Sequence, residues 1–533
     1  MSLAKIISGA VFGIEAFPVE IETDVGMSGD PQIVTVGLPD AAVRESQYRV
    51  STAIANCGYE PFVGRVTVNL APADIRKEGP FFDLPIAMGI LVASGAVDME
   101  GVPLRRRPGQ PPPRELHPMD LATVAMIGEL SLAGEVRRVR GVLPIAIKMR
   151  EIGVRKFLVP EENAGEAAMV EGLEVYPVRT LTQAVQLVTG EDEQTRPTAV
   201  RIEDLYVSHA ASEPDFVEVK GQEMAKRAIE VAVAGGHNIL MVGPPGTGKS
   251  MLARRIPSIL PPLTLDEALE VTKIHSIAGL LPPEMPLMTE RPFRSPHHTV
   301  SDAGLLGGGT HPSPGEVTLA HLGVLFLDEL PEFHRSVLEV MRQPLEDGFV
   351  TISRAAGSSV FPSRFILVAA MNPCPCGFYG DANHGCRCSQ TQLRNYRSRI
   401  SGPLLDRVDI QIQVPATKFQ DLQSIPAGAT SARMRASVAK AREVQTARFA
   451  GSRKIRINAA MGRREIEKFC HLDEPAREVL NFAMGEMHFS PRAHDRILKV
   501  ARTIADMDGS ETVRPNDLHE ALQYRSLDRA MWG

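Results

Sequence analysis

Hydrophobic and polar positions follow different periods along the chain, and the changes of period divide it. Early on, "RVTVNLAPADI" alternates apolar and polar side chains and "KFLVPEEN" carries a short apolar run, which predicts strands, whereas the long apolar stretch "DLPIAMGILVASGAV" predicts a buried helix. This mixture predicts an α+β domain over residues 1–190, interrupted by a proline-rich basic loop, "RRRPGQPPPRELHP", at 105–118. The polar stretch "TGEDEQTRPTAVRIED" marks a linker, placed at 191–215. From 216 to 425 strand and helix signals alternate, the pattern of an α/β unit whose parallel sheet is covered by helices on both faces. From 426 to 533 the pattern is helical, which predicts a small separate domain, and no repeat of solenoid length is visible.

A chain of 533 residues exceeds what one core usually supports, in keeping with two or three domains. It has no run of eighteen apolar residues and no leader pattern at its N-terminus, so the expectation is a cytoplasmic chain with no membrane partner. The formal charge of −6 gives no global attraction to nucleic acid, so any such binding needs local basic patches. Six cysteines are too few for a disulfide scaffold, yet four of them fall within "MNPCPCGFYGDANHGCRCSQ" as Cys374-x-Cys376 and Cys386-x-Cys388.

The strongest chemical signal is "NILMVGPPGTGKSMLARRI". Gly243, Pro244, Pro245, Gly246, Thr247, Gly248, Lys249 and Ser250 stand between an apolar strand, Ile239 to Val242, and a helix, the context a P-loop requires. Its backbone N–H groups face an anion, Lys249 reaches the β- and γ-phosphates of ATP, and Ser250 holds Mg²⁺. About eighty residues later "GVLFLDE" ends an apolar strand in Asp328 and Glu329, the arrangement that holds Mg²⁺ and orients an attacking water. A third apolar strand, "RFILVAAMNP", ends in Asn372, which suits an amide near the γ-phosphate; by itself an Asn before a Pro is more often just a turn residue.

A P-loop, an Asp-Glu strand end and a strand-terminal Asn in this order resemble an AAA+ ATPase. The surrounding stretches "VKGQEMAKRAIEVAVAGGHNILMVGPPGTGKS", "RPFRSPHHTVSDAGLLGGG", "PGEVTLAHLGVLFLDELPEF", "MNPCPCG" and "YRSRISGPLLDRVDI" resemble the ComM/YifB family of magnesium-chelatase-like AAA+ proteins, along essentially the whole chain. The resemblance implies an AAA+ P-loop ATPase core with a helical lid, preceded by an α+β, Lon-protease-like N-terminal domain. It makes Lys249 and Ser250 the Walker A pair, Asp328 and Glu329 the Walker B pair and Asn372 sensor 1, and it sets Gly221 and Gln222 of "VKGQEM" beside the nucleotide. Arg407 in "LLDRVDI" matches a finger that reaches a neighbouring subunit's γ-phosphate, and Arg492 in "SPRAHDRILKVARTIADM" matches sensor 2. A finger supplied in trans implies a ring, expected to be a hexamer, with ATP and Mg²⁺ as cofactors. By the same resemblance the partner is single-stranded or branched DNA, the activity is helicase or branch migration during natural transformation, and recombination proteins are further partners. The alternative is a chelatase-type motor that remodels a protein partner.

Two inserts of this clade point into the ring channel: "FRSPHHTVSDAGLLGGG" fits the first, and "GFVTISRAAGSSVFPSRF", a hairpin carrying Arg354, fits the second. Adjacent His297 and His298 read as solvated or hydrogen-bonded rather than as metal ligands. In the Lon-like domain Phe81 follows Gly79-Pro80 where a nucleophilic serine would be needed, and no lysine lies in "GVLPIAI", so acyl-enzyme chemistry of that kind is not expected.

The four clustered cysteines sit on a short loop with Gly377, Gly380 and Gly385. They read first as Zn²⁺ ligands, ahead of reduced free thiols and of a disulfide or iron–sulfur centre, with His384 as a substitute ligand. Arg387, Arg394, Arg397 and Arg399 follow around Tyr396, a basic segment suited to phosphates or to a subunit interface.

Overall fold

The computed structural model describes residues 3–26, 32–60, 62, 64–77, 79–97, 99, 116–207, 214–309, 312–354, 357–381, 384–416, 428–452, 455–487, 490–528 and 531. Most of the proline-rich basic loop, two residues at the hairpin tip (355–356) and residues 417–427 lie outside the described residues.

The N-terminal unit is built on a seven-stranded sheet in the order Gln32–Val36, Arg65–Ala71, Glu15–Val25, Leu3–Phe12, Val124–Met126, Lys156–Pro160, Glu174–Val178. Leu3–Phe12 and Glu15–Val25 form an antiparallel hairpin and Arg65–Ala71 joins it antiparallel; the remaining pairs are parallel. The apolar stretch read as a helix is the helix Asp83–Ala93, buried almost throughout. It packs with Ala41–Asn56 and Leu181–Thr189 on one face of the sheet, through Val50, Leu84, Leu91 and Leu187. On the other face, Val142–Glu151 and Glu161–Ala167 close a second core around Ile145, Phe157 and Val159.

That second core does not stop at the domain. Leu263, Ala268, Val271 and Leu287, all beyond residue 216, belong to it, so the helix Leu265–Ala278 is shared between the two units. A polar bolt runs through the same contact: the buried Glu166 carboxylate accepts from Leu143 N at 2.8 Å and from the Ser276 hydroxyl. Burial pushes the Glu166 carboxyl up, and these donors offset part of that cost.

The ATPase unit holds five parallel strands in the order Phe293–Arg294, Val324–Leu327, Ile366–Met371, Ile239–Val242, Ile410–Gln413. The three central strands are buried at every position, which is why they read as unbroken apolar runs. The hairpin expected before the third of these forms between Phe349–Arg354 and Gly357–Pro362, with Val350, Ile352 and Phe361 facing inward. Its outer end leans on the N-terminal unit, where a Cβ at Gly357 would meet the Phe12 ring at 2.7 Å.

The C-terminal region contains the helices Ser431–Arg448, Arg463–Phe469, Glu474–Met487, Pro491–Asp508 and Pro515–Gln523. Fully buried Asp506 ties them, accepting from Arg448 (2.6 Å), Arg502 (3.0 Å) and Asn458 (2.8 Å). The bundle sits on the helix Glu223–Gly235 that precedes the P-loop strand, with Gln445 donating to Ala234 O at 3.0 Å and His237 Nε2 2.8 Å from Thr503 Oγ1. Among the described residues no helix is long and apolar enough to cross a membrane.

Candidate nucleotide site and cysteine cluster

Parallel strands deliver their C-terminal residues to one edge of a sheet, and here that edge carries the chemistry. Val242 lies opposite Met371 and Leu327 opposite Ala369, so the P-loop, Asp328 and Asn372 emerge side by side. Gly248, at φ +86°, turns the chain into the helix Lys249–Arg255, a conformation that admits glycine and few other residues.

Lys249 is 8% exposed, and its ammonium donates to Gly243 O and Pro244 O, both at 2.8 Å, and to Asn372 Oδ1 at 3.3 Å. Burial lowers the Lys249 pKa, opposed by the negative charges of Asp328 and Glu329. A buried cation held mainly by carbonyls is suited to trade them for phosphate oxygens. The Ser250 hydroxyl donates to Asp328 Oδ2 at 2.5 Å, so the two oxygens stand where one Mg²⁺ could take both into its shell. Thr247 closes the loop by donating to Pro244 O at 3.0 Å. Gln222, two residues into "KGQEM", donates to Pro415 O at 2.8 Å and to Thr247 O at 3.5 Å, which brings Gly221 and Gln222 alongside the P-loop.

Glu329 adopts φ +51°, a left-handed conformation unusual for a residue with a side chain, and its carboxylate is 59% exposed. Strain of this kind collects at sites whose geometry is imposed by the surroundings. His298 Nδ1 lies 3.7 Å from Glu329 Oε2, and His297 bonds Thr299 Oγ1 at 2.9 Å. Neither histidine belongs to a metal-capable group among the described residues.

Arg407 and Arg492 do not join the P-loop group within the chain. The Arg407 guanidinium donates to Pro403 O at 2.6 Å and pairs with Glu346, holding that carboxyl below the usual range. Arg492, 66% exposed, lies 4.0 Å from Asp406. What fixes the Arg407 backbone is Asn238, a residue the sequence did not single out. Its Nδ2 donates to Arg407 O at 2.8 Å while its Oδ1 accepts from Leu367 N at 2.9 Å.

The four cysteines converge, with all their sulfurs within 4.8 Å of one another. Cys374 Sγ is 3.3 Å from Cys376 and 3.8 Å from Cys386, and Cys376 is 3.6 Å from Cys386. A tetrahedral zinc with bonds of about 2.3 Å needs sulfur–sulfur edges of about 3.8 Å, so the donor set fits. Backbone N–H groups of Phe378 and Arg387 bring the Cys376 thiol down to about 6, whereas burial pushes Cys374 up. His384 stands outside the cluster, 3.7 Å from Asp381. The basic segment beyond is divided: Arg397 donates to Met531 O and stacks 4.9 Å from Tyr379, Arg399 pairs with Glu332, and Arg387 and Arg394 face solvent.

Family models agree with this layout. The model described as magnesium chelatase, subunit ChlI, matches residues 215–422, its C-terminal counterpart matches 428–525, and a third, subunit ChlI of Mg-chelatase, matches 21–104 and 114–163. The chain is 42% identical to the competence protein ComM of Haemophilus influenzae, covering 100% of this chain and 99% of that one. It is 39% identical to YifB of Escherichia coli, covering 100% and 98%. A shorter stretch of 154 residues, 26% of each chain, is 32% identical to Lon protease 2 of Bacillus subtilis.

Proposed function

The chain belongs to the ComM/YifB family of magnesium-chelatase-like AAA+ ATPases, and from that premise we propose that it is a ring-forming, ATP-driven DNA motor that unwinds or branch-migrates recombination intermediates of incoming DNA. The observation that carries the ATPase half is the convergence of Lys249, Ser250, Asp328 and Asn372 on one sheet edge. The DNA half is supported by full-length likeness to a protein named for competence, and by exposed Arg354 on the hairpin.

In this reading Lys249 and the P-loop amides hold the β- and γ-phosphates, Ser250 and Asp328 hold Mg²⁺, and Gly221 and Gln222 border the nucleotide. Mg²⁺, when bound, offsets negative charge on the phosphate oxygens. Glu329 accepts a proton from the water that attacks the γ-phosphorus, while Asn372 orients that water and ADP departs. Arg407 leaves Glu346 to reach the neighbouring subunit's γ-phosphate, and Arg492 on the lid responds to the same group. The protein is then a homo-oligomer, a hexamer in this account, working in the cytoplasm beside recombination proteins. Cys374, Cys376, Cys386 and Cys388 bind one structural Zn²⁺, for which their sulfur spacing is suited. Phe81 follows Gly79-Pro80 where the Lon resemblance calls for a nucleophilic serine, so this reading includes no proteolysis.

The experiment is strand displacement and branch migration by the purified protein on forked and four-way DNA. Wild type should convert both in the presence of ATP, Glu329→Gln should bind DNA without converting it, and Lys249→Ala should fail to bind nucleotide. Binding without conversion by the wild type would sink the motor and leave an assembly-controlling ATPase. The match to magnesium chelatase over 215–422 keeps remodelling of a protein partner as the second reading, and indifference to DNA would favour it.

A further inference from the structure

The loop that carries the cysteine cluster runs from the end of the Asn372 strand and packs against the P-loop. Cys374 lies two residues beyond Asn372 on the same chain end, and the turn Cys374–Gly377 closes through Gly377 N to Cys374 O at 2.9 Å. Gly377, at φ +86°, presses on the middle of the P-loop: a Cβ there would lie 2.6 Å from Pro245 Cδ and 3.1 Å from its Cγ. Tyr396, 7% exposed, lies beside Asn372, whose backbone opposes part of the upward push that burial gives its phenol. Arg399 reaches the turn after the Walker B strand, donating to Pro331 O at 3.1 Å and Glu332 at 2.8 Å.

The knot itself rests on Pro245 through Gly377 and continues the chain from Asn372, while Arg399, just beyond the helix Gln390–Arg397, meets Pro331. Among the described residues, residues 374–376 meet residues 386–388 through the sulfurs, with Cys386 Sγ 3.8 Å from Cys374 Sγ and 3.6 Å from Cys376 Sγ, across a loop that contains Gly377, Gly380 and Gly385. Tyr379, Gly380, His384 and Gly385 on this loop are exposed, so a group that binds the sulfurs would hold its two ends together.

We infer that a thiophilic divalent cation in this knot sets the affinity of the P-loop for nucleotide. The knot is then a seat for Pro245 and Asn372 and a control point for ATP binding, and DNA contact is not its main duty. The inference rests on the zinc reading above and adds its consequence. Loss of the cation lets the Cys374–Gly377 turn relax, Pro245 loses its backing, and the amides that face the phosphates lose their alignment.

The test measures two quantities on the full-length protein: bound zinc, by release to a chromogenic chelator, and affinity for a fluorescent, non-hydrolysable ATP analogue in excess Mg²⁺. Cys386→Ser should lose zinc and bind the analogue about tenfold more weakly or worse, since small misplacements of a positioning loop have effects of that size. Gly377→Ala, which keeps all four cysteines but strains the backbone at φ +86° and pushes on Pro245, should lose affinity as well even where it retains zinc. Wild type stripped of zinc should recover its affinity when zinc alone is added back, which separates seating from misfolding. Zinc loss with unchanged nucleotide affinity, in Cys386→Ser or in the stripped wild type, would overturn the inference and leave the zinc site standing. Wild type that neither carries zinc nor takes it up would overturn the zinc reading and this inference with it.

Discussion

Replacing Asn238 with alanine tests how the ATPase sheet holds its own strand ends. Asn238 immediately precedes the P-loop strand, and its amide ties the strand Ile366–Met371 to the turn that leads into the strand Ile410–Gln413: Oδ1 accepts from Leu367 N at 2.9 Å, and Nδ2 donates to Arg407 O at 2.8 Å. Asn238→Ala strands one N–H and one C=O that the neighbouring strands partly enclose. A neutral hydrogen bond contributes about 1 kcal/mol net and an enclosed orphan group costs about 1–3 kcal/mol, so the loss should be about 2–4 kcal/mol. For a unit of this size that is a fall of on the order of 5–10 °C in the thermal transition of the ATPase core, read by scanning fluorimetry. Asn238→Asp should do no better. It keeps the acceptor for Leu367 N but sets a carboxylate against the Arg407 carbonyl, next to Asp409, whose own carboxylate takes the Asn238 backbone N–H at 3.2 Å. Because the same amide fixes the backbone of Arg407, DNA-stimulated hydrolysis should fall further than nucleotide affinity in both variants. A shift below about 2 °C in Asn238→Ala, with hydrolysis intact, would refute the argument, since water would then be replacing both bonds at little cost.

Other outcomes follow from the same geometry. Arg407→Ala and Glu329→Gln should each be inactive as pure rings, yet a mixture should recover part of the hydrolysis, because intact fingers then face intact glutamates; no recovery would mean that Arg407 acts within its own subunit. Burial raises the Glu166 carboxyl above its ordinary value of 4.5, so its contribution to the stability of the fold is fully present at pH below that value and is lost as pH rises through the raised one. Ser276→Ala, by removing a donor to the charged form, should make that decline with pH steeper; thermal melts from pH 4 upward, compared with wild type, would show the opposite slope if the reasoning is wrong. Unfolded casein should survive incubation with protein and ATP, because Phe81 offers no nucleophile; its degradation would contradict the reading of that domain.

What could be read from sequence was whatever is local. The P-loop strand, the acidic end at Asp328 and the strand before Asn372 are short apolar runs ending in polar residues, and a buried parallel sheet writes that pattern directly into the chain. The same holds for the hairpin, whose alternation predicts its inward face. The joints between units were not legible. Ser276 and Glu166 are 110 residues apart, and Asn238 and Arg407 are 169 apart, so nothing in either neighbourhood announces the partner. Gly377 reads as a loop glycine, and only the fold shows that its missing side chain makes room for Pro245. His298 reads as a solvated loop residue until the insert folds back and brings it 3.7 Å from Glu329.

The central claim is that ATP hydrolysis serves movement on DNA, and the rate of hydrolysis tests it most directly. Purified full-length protein would be assayed with no DNA, with single strands and with a branched duplex, each across a salt titration. The account predicts several-fold stimulation by DNA that fades as salt rises, because phosphate contacts made by local basic groups release counterions. Equal rates under all three conditions, with no DNA retained at low salt, would contradict it.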